Sequence, residues 1–320
     1  MRGLPQGFAD RVTTILSANH LDADLEHRRG RAEARWTGLV ASAPHLGRAV
    51  ALQRRTVGTQ LDLLWAVAPL VAEAAIPAET AVLSRLADGL PVLRAELAPL
   101  PVDVLTPVAV DLGAAIAAAS GYAAARRAAE SLASGEVDPA RLMALVYQRD
   151  QDGVRQLASE HAINVDMLWL LGDLVVAPIA HLQQRSALRE SEPDSPVREA
   201  LERWDHGYCP ACGSWPSLAE FFFGERLLRC AFCACTWRPR VDQCVYCRTD
   251  DQRFATIVPD RHQPGRRLEL CKACGGFLKT LDAEVITPFP LVAIEDLASA
   301  DLDQAALHHG FKRMGLRAAG

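Results

Sequence analysis

Eight of the nine cysteines in this 320-residue chain fall in four C-x2-C pairs. They are Cys209 and Cys212 in "GYCPACGSW", Cys230 and Cys233 in "LLRCAFCACTW", Cys244 and Cys247 in "DQCVYC", and Cys271 and Cys274 in "LELCKACGG". Along the chain the pattern runs C-x2-C-x17-C-x2-C, ten residues, then C-x2-C-x23-C-x2-C. Two residues between cysteines let one tight turn aim both sulfurs at a single ion, and a second such turn completes a tetrahedron. The spacing predicts two mononuclear metal sites of four thiolates each. Intervening segments of 17 and 23 residues each close a compact ribbon at low entropic cost. That favours joining the first pair with the second and the third with the fourth over interleaving them.

A single C-x2-C can be a redox dithiol, but that reading wants a βαβ setting, and a reactive dithiol needs no three further copies. Disulfides are disfavoured if the chain stays in a reducing compartment. The opening "MRGLPQGFADRVTTIL" lacks the basic, then apolar, then small pattern of a signal peptide, so a cytoplasmic protein is expected. Four thiolates accept zinc or iron alike, and spacing does not separate them. The glycines after the second cysteine in "CPACG" and "CKACG" let the backbone bend so that amide N–H groups face the sulfurs. Cys235, the ninth cysteine, follows in "CAFCACTW" and reads as a small buried residue, with a free thiol or a ligand in place of Cys233 as alternatives.

Other polar groups give weaker signals. His308 and His309 are adjacent on an expected helix and point in different directions. Asp260, His262, Arg266 and Arg267 lie in the 23-residue segment, where a docking loop and a solvated charged loop read alike. No Ser/His/Asp or paired-carboxylate constellation stands out, so no enzyme is expected. Between Leu201 and Thr280 there are 12 Lys or Arg against 9 Asp or Glu. Eight thiolates and two divalent ions would bring that segment to about −1, which, with the overall net charge of −5, argues against a nucleic-acid partner. Membrane insertion is not expected either. "LLWAVAPLVA" is far short of a spanning helix, and "MLWLLGDLVVAPIAHL" is interrupted by Asp173 and Pro178.

The elements that must position the cysteines divide sharply. The first 208 residues contain no cysteine and are rich in Ala and Leu, and they read as an all-α domain of six to eight helices. "HLGRAVALQRRTVGTQLDLLWAVA" places Leu46, Val50, Leu52, Val57, Leu61 and Leu64 near a 3.6-residue period. "PVAVDLGAAIAAASGYAAARRAAESLASG" reads as one helix with a glycine stop, and "DPARLMALVYQRDQDGVRQLASEHAI" as one helix capped by Asp138 with Pro139 behind it. "RESEPDSPVRE" reads as a linker or a helix interruption. The expected fold class is therefore an α-helical domain (1–195) followed by small metal-binding β modules. The first four-cysteine module is expected at 196–240 and the second at 241–320. The second ends in a helix within "EDLASADLDQAALHHGFKRMG", capped by Asp296 or Ser299.

In order, "CPACGSWP", "GERLLRCAFCACTW", "RVDQCVYC", "ELCKACGGFLKTL" and "IEDLASADLD" resemble the formate dehydrogenase accessory protein family, FdhE. The resemblance runs from about Gly207 to Phe311; before that it rests on helical character and length. It implies a cytoplasmic assembly factor that engages the catalytic subunit of formate dehydrogenase. It also implies tandem rubredoxin-like folds holding iron, with Cys209, Cys212, Cys230 and Cys233 at one site and Cys244, Cys247, Cys271 and Cys274 at the other. Two features depart from the family pattern: Cys235, usually a small or hydroxylic residue, and "AIEDLASADLD", where a paired acidic "ADDLASLALD" is the tendency. Two other functions fit the cysteines alone, a mononuclear-iron electron carrier or redox sensor and a zinc-ribbon adaptor on nucleic acid.

Overall fold

The structure, a computed structural model, describes residues 18–74, 76–189, 194–239 and 242–315. The signal-peptide reading of residues 1–17 and part of the expected linker, residues 190–193, lie outside these. The helical part comprises α1 (Ala18–Ser42), α2 (Gly47–Glu73), α3 (Glu79–Ala87), α4 (Val102–Ser120), α5 (Ala123–Ala133), α6 (Pro139–Tyr147), α7 (Gln151–Glu160), α8 (Val165–Ala187) and α9 (Pro196–Glu202). Among the described residues eight of these, α1–α8, lie within 1–195, as the expected six to eight allow, although two segments read as continuous are divided. Gly121, at φ 70°, ends α4 in a left-handed cap. Arg149, at φ 61°, ends the turn after α6, and Asp150 starts α7 by accepting the Gly153 N–H at 2.9 Å. Asp138 caps α6 by accepting the Ala140 N–H at 2.9 Å, with Pro139 in the first turn.

Helix α8 is the centre of the bundle and includes Asp173 and Pro178, which interrupt its apolar run. Leu168, Leu171, Val175, Val176 and Ile179 are buried against α2, α4, α6 and α7. A proline inside a helix leaves the carbonyl four residues earlier without its N–H partner. Here that carbonyl belongs to Leu174, and the buried Gln60 amide of α2 donates to it at 3.2 Å. Asp173 is neutralised by Arg149. A side chain on a neighbouring helix thus supplies the bond that Pro178 cannot. Helices α4 and α8 are each long and apolar enough to cross a membrane by length and composition, which a count of uninterrupted apolar runs misses. Most of the α8 window is spent on the bundle core.

The cysteine-bearing half forms one six-stranded sheet of order β3-β2-β1-β6-β5-β4. Its strands are β1 (Pro216–Phe222), β2 (Glu225–Cys230), β3 (Thr236–Trp237), β4 (Phe254–Ile257), β5 (Arg266–Cys271) and β6 (Phe277–Asp282). Two antiparallel ribbons, β1–β3 and β4–β6, meet along a parallel seam between β1 and β6 with Ala219 opposite Thr280. Arg226 on β2 reaches across this seam to Glu269 on β5 (Nε to Oε1, 2.5 Å), and the Thr280 hydroxyl donates to the same carboxylate at 3.0 Å. Both charged residues are buried.

The chain closes with α10 (Val292–Ala298) and α11 (Ala300–His308), two short helices where one was expected. Asp296 lies inside α10; Ser299 stands at the N-cap position of α11 as expected, but its hydroxyl makes no capping bond and donates instead to the Glu295 carbonyl at 2.7 Å. The acidic motif "IEDLASADLD" works as a clasp. Glu295 takes the Arg35 guanidinium of α1 through two 2.8 Å bonds. Asp296 and Asp303 hold the buried Lys279 ammonium of β6 at 2.7 and 2.8 Å and share Arg313.

Removing one partner of a buried pair leaves an uncompensated charge, at about 3–5 kcal/mol. Glu269→Ala is expected to lose that much in urea unfolding, while Arg226→Met with Glu269→Leu recovers most of it. Gln60→Leu strands the Leu174 carbonyl and is expected to cost ~1–3 kcal/mol, read by the same titration.

Candidate metal centres

The four cysteine pairs share one backbone turn. The N–H of each first cysteine donates to the carbonyl five residues on: Cys209 to Ser214 (2.8 Å), Cys230 to Cys235 (3.1 Å), Cys244 to Thr249 (2.8 Å) and Cys271 to Gly276 (3.0 Å). The carbonyl of each first cysteine accepts the N–H four residues on, from Gly213, Ala234, Arg248 and Gly275 at 2.8–3.0 Å. The residue after the second cysteine is left-handed every time, with φ of 82°, 55°, 63° and 74° for those same four residues. Glycine fills two of these positions, as the sequence suggested. Ala234 and Arg248 fill the others, in a region where a Cβ is unfavourable by roughly 1–2 kcal/mol.

These turns bring the sulfurs into two groups, Cys209, Cys212, Cys230 and Cys233 in one and Cys244, Cys247, Cys271 and Cys274 in the other, with all sulfurs of a group within 4.8 Å of one another. In the first, Cys209–Cys233 is 3.6 Å, Cys212–Cys230 3.5 Å and Cys212–Cys233 3.7 Å. In the second, Cys244–Cys274 is 3.8 Å and Cys247–Cys271 3.5 Å. A tetrahedral ion with metal–sulfur bonds of ~2.3 Å sets its ligands ~3.8 Å apart, whereas a disulfide needs ~2.05 Å. All nine cysteines are free thiols. The donor set therefore fits a soft or borderline ion at each group, and two such groups could hold two ions.

The electrostatics differ between the groups. Burial pushes the Cys209, Cys230 and Cys233 thiols well up. Burial acts on Cys212 in the same sense, but hydrogen bonds from the other three sulfurs and the Arg149 cation outweigh it and hold this thiol well down. In the second group burial pushes Cys244 up. At Cys247 burial is again unfavourable, yet hydrogen bonds from the Thr249 side chain and backbone bring the thiol to about 7.

The helical domain grips the first group directly. The Val92 and Leu93 N–H groups donate to the Pro210 and Ala211 carbonyls inside the first turn at 3.0 and 2.9 Å. The His181 ring of α8 bonds the Cys233 carbonyl through Nδ1 at 2.9 Å. Burial, followed by the nearby Arg28 and Arg185 charges, keeps that imidazole well below its usual pKa. It is therefore neutral, with Nδ1–H as the donor. Arg149 lies 4.1 Å over the Phe232 ring and 4.6 Å over Trp169. Burial opposes its charge, but Asp173 and the sulfurs of Cys212 and Cys230 hold it cationic. No spacing in the sequence links Arg149 or His181 to the cysteines, so both were missed. The turn residue before "DQDG" and the histidine in an apolar helix give no local signal.

Cys235 is buried outside the first group, with its carbonyl closing the second turn. A row of rings, Tyr208, Trp215 and Tyr246, runs from the first turn to the third with centroids 6.0 and 5.3 Å apart. A Cβ on Gly207 would lie 1.8 Å from the Val245 carbonyl oxygen, so the backbones of the two groups touch there. The loop before β5 is not an array of free charges. Asp260 accepts the His262 N–H at 2.9 Å, Arg266 pairs with Asp301, and Arg267 pairs with Asp282. His308 and His309 sit exposed with rings 79° apart.

A Cβ on Gly213 meets Pro91 at 2.9 Å and an unfavourable φ as well. Gly213→Ala is expected to cost ~1–3 kcal/mol, whereas Ala234→Gly, which relieves the same strain one pair later, is neutral or stabilising by up to ~1 kcal/mol. Thermal melts of the two variants side by side check the contrast.

No protein-family model matches the chain. Over 116 residues it is 38% identical to a protein named FdhE homolog from Pseudomonas putida, a match covering 33% of this chain and 36% of that protein. An FdhE homolog from Aquifex aeolicus is 31% identical over 120 residues, covering 36% of this chain and 42% of that protein. The match thus spans well under half the length of these relatives. The crystal structure of the FdhE protein from Pseudomonas aeruginosa superposes with a TM-score of 0.54 over 91% of this chain and 93% of that one, at 24% identity, which is a likeness of fold. The sequence similarity to FdhE homologs thus covers about a third of the chain, and the likeness of fold covers nine-tenths of it.

Proposed function

We propose that this protein is a cytoplasmic accessory factor for the maturation of formate dehydrogenase, one that engages the catalytic subunit and performs no catalysis of its own. The observation that carries the reading is the pair of four-sulfur groups set in one sheet against a helical bundle, together with the similarity to FdhE homologs. In this reading Cys209, Cys212, Cys230 and Cys233 hold one mononuclear ion, and Cys244, Cys247, Cys271 and Cys274 hold a second. Iron is favoured and zinc is the alternative on the same ligands. A bound ion supplies cross-linking of the two turns in each group and, if it is iron, a one-electron couple. The chain's own residues do the rest. In the second group backbone groups of Tyr246, Cys247, Thr249 and Gly276 favour the charged sulfurs; at the first, the Arg149 guanidinium does so, and His181 fixes the Cys233 backbone.

The helical bundle is the natural surface for a large client, because the sheet edge at β3 is short and the acidic clasp is already occupied by Arg35, Lys279 and Arg313. The test is co-purification of the catalytic subunit on the tagged full chain, prepared without oxygen, with metal analysis of the same sample. Retention of the subunit with two ions per chain is the expected result. Failure of the intact protein to retain it would sink the client reading, and a Cys244→Ala, Cys247→Ala variant that folds and binds but no longer restores formate dehydrogenase activity would place the second ion in maturation itself.

A further inference from the structure

We infer that the two cysteine groups do unequal work: the first is a permanent site that holds the fold, and the second is an exchange site whose ion can be reached by an incoming anionic thiolate, with Cys247 as the ligand that lets go. This rests on the metal reading proposed above.

The difference begins with exposure. Cys209, Cys212, Cys230 and Cys233 have relative exposures of 0, 6, 0 and 0%. In the second group Cys244 and Cys271 are buried, but Cys247 is exposed and Cys274 half-exposed. What covers each group differs in kind. The first belongs to the main hydrophobic core, continuous with Leu168, Val175 and Ile179 of α8. Reaching it means parting Val92 and Leu93 from the first turn, His181 from the Cys233 carbonyl, and Arg149 from Phe232. Such an opening approaches global unfolding. The second ribbon has a small core of its own, Leu268, Phe277, Leu302 and Ala306, which lies under α11 and leaves the outer sulfurs uncovered.

The rim of the second group is charged. Arg248 and Arg253 are exposed near Cys247 and pair with Asp205 and Asp251, and Lys272 stands exposed between Cys271 and Cys274. Four thiolates on a divalent ion leave −2, which would repel a second anion approaching from water. Lys272 offsets part of that charge on the one side from which approach is open. Exchange is then a substitution: the incoming sulfur bonds to the ion as the Cys247 sulfur leaves. The oxidation state is unchanged, and the released thiolate takes a proton from water. Cys244 and Cys271, anchored in buried turns, keep the ion while Cys247 is away.

The experiment uses the full chain loaded with two equivalents of zinc and challenged anaerobically with dimercaptosuccinate, an anionic dithiol. Native mass spectrometry follows the ions retained, and iodoacetamide pulses map the freed cysteines. A persistent one-ion species, formed at least ten times faster than the metal-free chain, is expected, with label on Cys247 and Cys274 and none on Cys209, Cys212, Cys230 or Cys233. Lys272→Glu, at an exposed position, should slow the first loss several-fold, and an unchanged rate would overturn the role given to the rim. Loss of both ions in one phase, or first label on the buried group, overturns the inequality while leaving the metal reading intact. Uptake of fewer than two ions overturns the metal reading itself and this inference with it.

Discussion

A chain that must present two sulfurs to one point has to reverse direction within six residues, and each of the four turns does so by the same pair of backbone bonds. Both bonds close only if the residue after the second cysteine is left-handed. That constraint orders the rest of the C-terminal half. Two of the turns end a strand, β2 at Cys230 and β5 at Cys271, so the position of each sulfur is set by a ladder of strand hydrogen bonds. The other two, at Cys209 and Cys244, precede β1 and β4 and are set by what packs around them. For Cys209 that is the helical domain, through Val92 and Leu93. For Cys244 it is the neighbouring ribbon, through Gly207 against Val245 and Tyr246 against Trp215.

The bundle and the sheet are therefore coupled through the interior of α8. Pro178 would break the helix in water, and Gln60 replaces the bond that it removes. One turn later His181, on the same continuous helix, reaches the Cys233 carbonyl. Arg149 makes the second link. Its left-handed backbone ends the turn after α6 and directs the guanidinium over Phe232, between Asp173 and the sulfurs. A cation buried there without Asp173 or a charged cysteine group would be costly, so the bundle and the cluster each stabilise a charge the other needs.

Much of this was legible in the sequence, and the boundary of legibility is physical. Cysteine spacing announced the two groups and their membership because a C-x2-C turn is local chemistry, and "CPACG" even showed its left-handed glycine. The helical character of the first half was equally plain from Ala and Leu content. Three things were hidden. The breaks at Gly121 and Arg149 lie inside segments of good helix formers, where a single left-handed residue decides. The compensation for Pro178 was invisible because Gln60 lies 114 residues before the Leu174 carbonyl that it satisfies. The clasp formed by the acidic "IEDLASADLD" was not visible because its partners, Arg35, Lys279 and Arg313, come from three other parts of the chain. Local rules reach as far as local bonds, and each miss involves a partner brought in by tertiary packing.

The seam between the ribbons raises a question of specificity. Only Ala219, Glu220 and Phe221 pair with β6 in parallel, a short contact that backbone bonds alone would hold weakly in register. Three buried charge sets lie around it: Arg226 with Glu269, Arg229 with Glu220 at 3.2 Å, and Lys279 with Asp296 and Asp303. Such pairs add little net stability compared with apolar residues of the same shape. Their effect lies in what they forbid. A slip of one residue would turn every side chain of β6 to the opposite face, parting Thr280 from Glu269 and Lys279 from its carboxylates, at several kcal/mol for each stranded charge. The small Ala219 on β1 stands opposite Thr280 at the place where Arg226 crosses toward β5, so one register alone satisfies all three sets. With register fixed by penalty in this way, a three-residue seam suffices to hold two four-sulfur groups in one sheet, one against the bundle and the other toward solvent.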